Sequence, residues 1–206
     1  MPKIVDHDER RREVLDATWR VIVREGLDAT TIRRIAQEAG YSNGVLAHYF
    51  KDKEDILVSA HMLAFARARD RIVRATDGVP GIEALRRAIF EALPLDDERV
   101  LEAQVDVSFL GQTVGNPYLR QIRSASNAES RSLWAGFVVQ AQRTGEISAD
   151  EDPELIVDEI LALVESLSVE AIINPERMTP AHQTTLVSRF LERVTTPESD
   201  GAKTLR

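Results

Sequence analysis

The sequence has no cysteine among its 206 residues. Disulfides, thiolate metal sites and a cysteine nucleophile are thereby excluded, and the absence suits a reducing cytoplasm. Aromatic residues make up only 5% of the chain, too few and too scattered to suggest a cage for a quaternary ammonium group. The four histidines, His7, His48, His61 and His182, stand at no metal-ligand spacing. There is no Gly-x-Ser-x-Gly elbow and no phosphate-cradling glycine loop. No metal, no cofactor and no catalytic residue are expected, and the chain reads as a non-enzyme. Long apolar runs are missing too: the stretch 160–167 is short and interrupted by Glu165, so no membrane span is expected. Residues 1–12 are charged and carry no apolar core, which speaks against a signal peptide.

What is present is a good supply of apolar residues, 43% of the chain, enough for a real core. The net charge is −8, which taken alone argues against nucleic acid. Its distribution argues otherwise. Residues 29–53 hold four basic side chains (Arg33, Arg34, Lys51, Lys53) against two acidic ones (Glu38, Asp52), a local +2. An acidic protein can still present a basic face to DNA.

Helical periodicity dominates and strand alternation is almost absent. The first helix is expected over 8–25, with Val14, Ala17 and Val21 as its apolar stripe and Gly26 as its stop. Thr30 or Thr31 caps a second helix that turns Ile32, Ile35, Ala36 and Ala39 inward. Ser42 caps a short third helix, and Asp52 caps a long fourth one reaching about residue 75. After the loop 77–81, further helices are expected at about 81–93, 97–113, 117–144, 153–173 and 179–195, separated by proline and glycine. The fold class is all-α with about nine helices, three of them in a small N-terminal unit. The boundary between the two units falls inside the fourth helix, which joins them rigidly.

Residues 29–50 have the anatomy of a helix-turn-helix. Gly40 supplies the positive φ of the tight turn. Leu46 and Phe50, four residues apart, face inward against Ile35 and Leu15, which leaves Asn43, Ala47 and His48 facing outward. A short helix pinned by one face offers the other to a major groove. A bare helix–glycine–helix also fits an ordinary αα-hairpin. The detail separates the two. The stretch 31–54, TIRRIAQEAGYSNGVLAHYFKDKE, closely resembles the signature of the TetR/AcrR family of transcriptional regulators. It has the Thr-apolar-x-x-Ile-Ala opening, the Gly-x-Ser turn and the Tyr-Phe-x-x-Lys close on Tyr49, Phe50 and Lys53. The preceding helix matches as well, with Val14, Leu15, Ala17, Glu25 and Gly26. A small Ala47 before His48-Tyr49-Phe50, together with the opening Met1-Pro2-Lys3, is similar to the BetI-like subgroup. Many family members carry a tyrosine where Ala47 stands here, so one phosphate contact is absent.

The resemblance implies a DNA-binding domain over 1–52 and a helical ligand-binding and dimerisation domain over 53–196, and the polar composition after Pro197 reads as a disordered tail over 197–206. It implies a repressor, released from a palindromic double-stranded operator by a small-molecule effector of unknown identity. The other reading is a helix-turn-helix used for protein contacts alone. The DNA-binding residues it implies are Thr31, Arg33, Ser42, Asn43, Gly44, Val45, His48, Tyr49 and Lys53. Arg33 suits guanine O6 and N7, and Asn43 suits adenine or a phosphate. Gly44 permits close approach of the helix backbone, Val45 packs on a thymine methyl, and Tyr49, Lys53 and Thr31 reach phosphates. Three of these keep a plainer reading: Thr31 as a cap, Val45 as core, Tyr49 as packing.

In the C-terminal part, the 153–173 helix is apolar on most sides and needs cover all round. The family resemblance makes it and the last helix a homodimer interface, with Ile156, Ile160, Leu163, Leu167, Leu186, Val187 and Phe190 as candidates. Burial in a monomer core is the alternative. Phe90, Phe109, Trp134 and Phe137, with Asp106, are candidates for an effector pocket, with Gln104, Asn127 and Glu165 nearby as polar partners. A filled core with solvated faces is the plainer reading for each.

Overall fold

The computed structural model describes residues 7–26 and 30–195. Among these the chain forms nine helices: α1 (His7–Glu25), α2 (Ile32–Ala39), α3 (Asn43–Tyr49), α4 (Lys53–Thr76), α5 (Gly81–Ala92), α6 (Asp97–Thr113), α7 (Pro117–Arg143), α8 (Pro153–Ile173) and α9 (Pro180–Val194). The tail over 197–206 and the opening Met1-Pro2-Lys3 lie outside the described residues.

Side-chain caps set the boundaries. Thr31, Ser42, Asp52, Asp96, Asn116, Asp152 and Thr179 each accept a backbone N–H of the helix they open, satisfying donors that have no partner within the helix. Proline occupies the first turn of α7, α8 and α9, where its missing N–H costs nothing. α5 has no capping side chain of its own. Glu146, from the turn after α7, takes the Ile82 N–H at 3.2 Å instead. Its carboxylate lies against Gly81, whose φ of +62° is a conformation that side-chain-bearing residues rarely adopt.

The apolar side chains fall into two clusters. The first joins α1, α2, α3 and the first half of α4 through Val14, Leu15, Trp19, Ile35, Leu46, Phe50 and Ile56, and continues into Val105 and Phe109 of α6 and Leu119 of α7. The second lies between α5, α7, α8 and α9 around Leu85, Ile89, Trp134, Val138, Ile160 and Val187. α4 contributes to both, with Ala60 and Ala64 in the first and Ile72 in the second. At about 1.5 Å per residue, its 24 residues span roughly 36 Å without a break.

The interface candidates divide on burial. Ile156, Ile160, Leu167, Val187 and Phe190 are at most 7% exposed within one chain and belong to its own core. An apolar helix covered on one side by its own chain shows the same sequence whichever face is inward. Leu163 and Leu186 are half-buried, and the outer face of α8 adds Leu155 at 62% and Ile173 at 63% exposure. No helix among the described residues is long and apolar enough to cross a membrane.

Candidate functional site

The reading head begins with α1 and α2, which are stapled by ions. Arg34 grips Glu25 through two guanidinium nitrogens, with Nε 2.8 Å from Oε2. Arg24 and Arg20 hold Glu38 at 2.8 and 3.0 Å. Hydrogen bonds from Arg34, then Arg24, hold the Glu25 carboxyl down from its ordinary 4.5 to about 2. The staple is therefore complete above the ordinary carboxylate range and is lost only as pH falls through about 2. Of the two adjacent arginines, Arg34 is committed to this staple, while Arg33 is exposed and makes no ion pair among the described residues.

Gly40 ends α2 in the left-handed region, φ 74°, and the Tyr41 N–H closes the turn on the Ala36 carbonyl at 2.9 Å. Ser42 caps α3 through the Val45 N–H. Leu46 and Phe50 are 1% and 2% exposed, so this face is locked into the first core. The opposite face carries Asn43, Gly44, Ala47 and His48, all exposed, with Val45 and Tyr49 half-buried at its edges. Thr31 is exposed, and its hydroxyl accepts the Arg34 N–H at 3.2 Å, a capping role. Lys53 begins α4, one residue after the Asp52 cap. All nine DNA-binding candidates thus lie on the α2–α3 unit and the start of α4.

One residue of this unit has no local signal in the sequence. Arg11 of α1 donates to the Tyr49 carbonyl at 3.0 Å and to Ser59 Oγ at 2.7 Å, and its guanidinium lies 4.6 Å from the Phe50 ring centre. It ties the end of α3 to α1 and α4 at once.

Farther along α4 lies a cavity of about 200 Å³ between α4, α6, α7 and α8. Phe65, Ile72, Leu133, Trp134, Leu161 and Val164 form its apolar lining. Of the five effector-pocket candidates, Asp106 and Trp134 line it. The other three do not line it. Phe109 is 2% exposed in the first core, stacked on His61 with ring centres 4.2 Å apart. Phe137 sits edge-on to Trp134, three residues and one-sixth of a turn off the lining face. Phe90 packs beneath Arg86 on α5, a helix that reaches the cavity only through Ala92. Asn127 and Glu165 line the cavity and Gln104 does not.

The cavity wall is charged but paired. Arg71 of α4 meets Glu102 of α6 through both terminal nitrogens. Arg123 of α7 meets Asp106, and Arg69 meets Glu129 at 2.9 Å. His61, 1% exposed in the middle of α4, places Nδ1 3.0 Å from Asp106 Oδ1 and Nε2 3.2 Å from Ser126 Oγ. Burial pushes the Asp106 carboxyl up, but the His61 contact and the Arg123 charge outweigh it and hold it below its ordinary value. Asp106 and Ser126 both line the cavity, as do Ala64 and Phe65 at the centre of α4, so His61 links the α6 and α7 walls to that helix. No group of three or more His, Cys, Asp and Glu side chains able to hold a metal occurs among the described residues.

The family model described as "Bacterial regulatory proteins, tetR family" matches residues 14–60. The model described as "BetI-type transcriptional repressor, C-terminal" matches residues 81–196. Among relatives, the HTH-type transcriptional regulator PksA of Bacillus subtilis (strain 168) is 27% identical over 199 residues, 94% of each chain. The HTH-type transcriptional repressor KstR2 of Rhodococcus jostii (strain RHA1) is 32% identical over 150 residues, 71% of this chain and 72% of that one. Among solved structures, a putative transcriptional regulator from Saccharomonospora viridis in complex with choline superposes with a TM-score of 0.83 at 25% identity, covering 91% of this chain and 98% of that one. The reading head, the nine-helix frame and these matches together make the chain a member of the TetR family of transcriptional regulators, with a C-terminal domain of the BetI type.

Proposed function

We propose that the chain is a repressor that binds a palindromic operator as a twofold dimer and leaves it when a small molecule fills the α4–α6–α7–α8 cavity. One observation carries this reading: the helix whose first half is rooted in the reading-head core lines the cavity with its second half. A cavity occupant that displaces α4 changes the spacing of the two heads. It acts only through its difference in affinity for the two spacings. The contacts of His61 with Asp106 and Ser126 tie the α6 and α7 walls of the cavity to α4. Such a regulator works where the chromosome lies, in the cytoplasm.

The dimer face in this reading is the outer side of α8 and α9: exposed Leu155 and Ile173, with Leu163 and Leu186 at its edge against the chain's own core, around the Glu159–Arg193 pair at 2.7 Å. A twofold axis there sets each face against its own copy. The choline of the S. viridis neighbour does not transfer simply, because Phe65 and Trp134 are the only aromatic residues among those lining the cavity.

The DNA side is checked by two kinds of substitution. Lys53→Ala lowers affinity for all duplexes alike and flattens the plot of log affinity against log salt by about one unit, because one phosphate contact is lost. A changed sequence preference in that variant removes the phosphate role. Arg33→Ala and Asn43→Ala instead relax the preference at one or two base positions by about 1–3 kcal/mol each, read from binding to single-base operator variants. Uniform weakening with an unchanged preference assigns both residues to the DNA backbone.

A further inference from the structure

α4 runs unbroken from the reading head into the C-terminal domain. A single rod fixes how far the head stands from that domain, but not how the head is turned about the rod. The turn is set by lateral contacts, and the seam between α1 and α6 is one of them. Glu98, Leu101, Val105 and Phe109 recur at three- and four-residue steps on α6, as Asp16, Trp19 and Val23 do on α1, so each set forms one face. The seam is sealed at one end and open at the other. Trp19, Val105 and Phe109 are at most 5% exposed and share the first core. Val23 and Leu101 are 37% and 38% exposed and line an open cleft with Asp16, Arg67 and Glu98.

Arg67 of α4 crosses the open end. Its guanidinium lies 4.5 Å from the Trp19 ring centre, donates to Asp16 Oδ1 at 3.2 Å and stands 4.0 Å from Glu98 Oε1. It is the one side chain among the described residues whose ion pairs reach both α1 and α6. Trp19 is itself held, because its Nε1–H donates to the Ala60 carbonyl of α4 at 3.3 Å. Arg20 and Arg24 line the same cleft but are committed to Glu38. A lone surface ion pair contributes little. The Arg67 guanidinium is oriented by a buried indole, and its planar fork addresses two helices at once. We infer that Arg67 is a positioning residue for operator recognition: it sets the turn of the reading head against the C-terminal domain and thereby the spacing of the two heads, an assignment that rests on the chain acting as a two-headed dimer. It stands fourteen residues after Lys53, roughly 21 Å along α4 and away from the DNA-binding candidates.

The test compares the full chain with its Arg67→Ala, Arg67→Lys and Glu98→Ala variants on four duplexes. These are the palindrome that the unaltered protein selects from a random pool, the same palindrome with one base pair added or removed at its centre, and a single half-site. The unaltered dimer is expected to prefer its own spacing by about tenfold or more over both altered ones, since a second head that misses its half-site adds nothing. In Arg67→Ala that preference falls to about threefold or less, while affinity for the half-site, which needs one head only, is unchanged. Arg67→Lys keeps the charge but not the fork, and recovers only part of the preference. Glu98→Ala removes the α6 arm at a side chain 71% exposed, so it provides a folded variant if circular dichroism shows Arg67→Ala unfolded, and it lowers the preference in the same direction. An unchanged spacing preference in both alanine variants overturns the positioning role alone. An equal loss on half-site and palindrome makes Arg67 an ordinary stabilising contact and overturns that role too. An unaltered protein that binds the palindrome no more tightly than the half-site overturns the two-headed reading and the inference with it.

Discussion

Leu163→Glu is expected to split the protein into folded monomers and to lower operator affinity by on the order of 10²–10⁴, the advantage lost when two heads are no longer linked. Leu163 is half-buried against the chain's own core at the edge of α8's outer face, which carries Leu155 and Ile173. In the proposed dimer, a carboxylate there is desolvated against its own copy. A permanent interface of this kind often buries more than about 2,000 Å², and an unpaired charge at its centre is not accommodated. Leu155→Glu, nearer the end of the helix, provides a second variant on the same face. Val187→Glu behaves differently. Val187 is 0% exposed inside one chain, so its glutamate unfolds the chain rather than separating two folded ones. Sedimentation velocity with circular dichroism distinguishes the outcomes. A Leu163→Glu protein that still sediments as a dimer moves the interface to another face.

The second large effect is on stability. Glu102→Ala is expected to cost about 3 kcal/mol, at the lower edge for breaking a buried ion pair, because Glu102 is 7% and Arg71 20% exposed at the side chain. Arg71 would be left between α4 and α6 with Glu91 as its nearest carboxylate, at 3.8 Å. For a chain of this length the melting temperature falls by roughly 6–12 °C. Replacing both partners, Arg71→Met with Glu102→Leu, is expected to recover most of the loss, since apolar side chains of similar volume need no counter-charge. A drop of less than about 1 kcal/mol in the single variant would show the pair to be solvated and the wall between α4 and α6 to be loose.

How much of this was legible in the sequence depended on how local the signal was. The helix boundaries were readable to within a residue or two because their causes are adjacent in the chain: Ser42 caps α3 and Asp52 caps α4, Gly40 turns, and Pro117 and Pro153 open first turns. The reading head was readable for the same reason, since Leu46 and Phe50 are one helical turn apart and fix which face is left over. The C-terminal domain was not. α8 is apolar on nearly every side, so periodicity does not say that Ile160 and Val157 face inward while Leu155 and Ile173 face out. The aromatic candidates were chosen for size. Lining a cavity depends instead on which helix lies opposite, and that placed Phe109 behind the wall and Trp134 in it. Arg11 and Tyr49 meet across 38 residues with no pattern linking them. His61 did leave a trace. It falls on the inward spacing of Leu57, Ala60 and Ala64, and a histidine on a buried stripe asks for partners, which Asp106 and Ser126 supply.

Selection of bound duplexes from a random pool is the sharpest check on sequence-specific DNA binding by a two-headed dimer. The expected product is an enriched imperfect palindrome whose half-site centres lie one helical turn, roughly 34–36 Å, apart or a multiple of it, carried by two chains per duplex. Enrichment of a single half-site, or of no sequence at all, would contradict it.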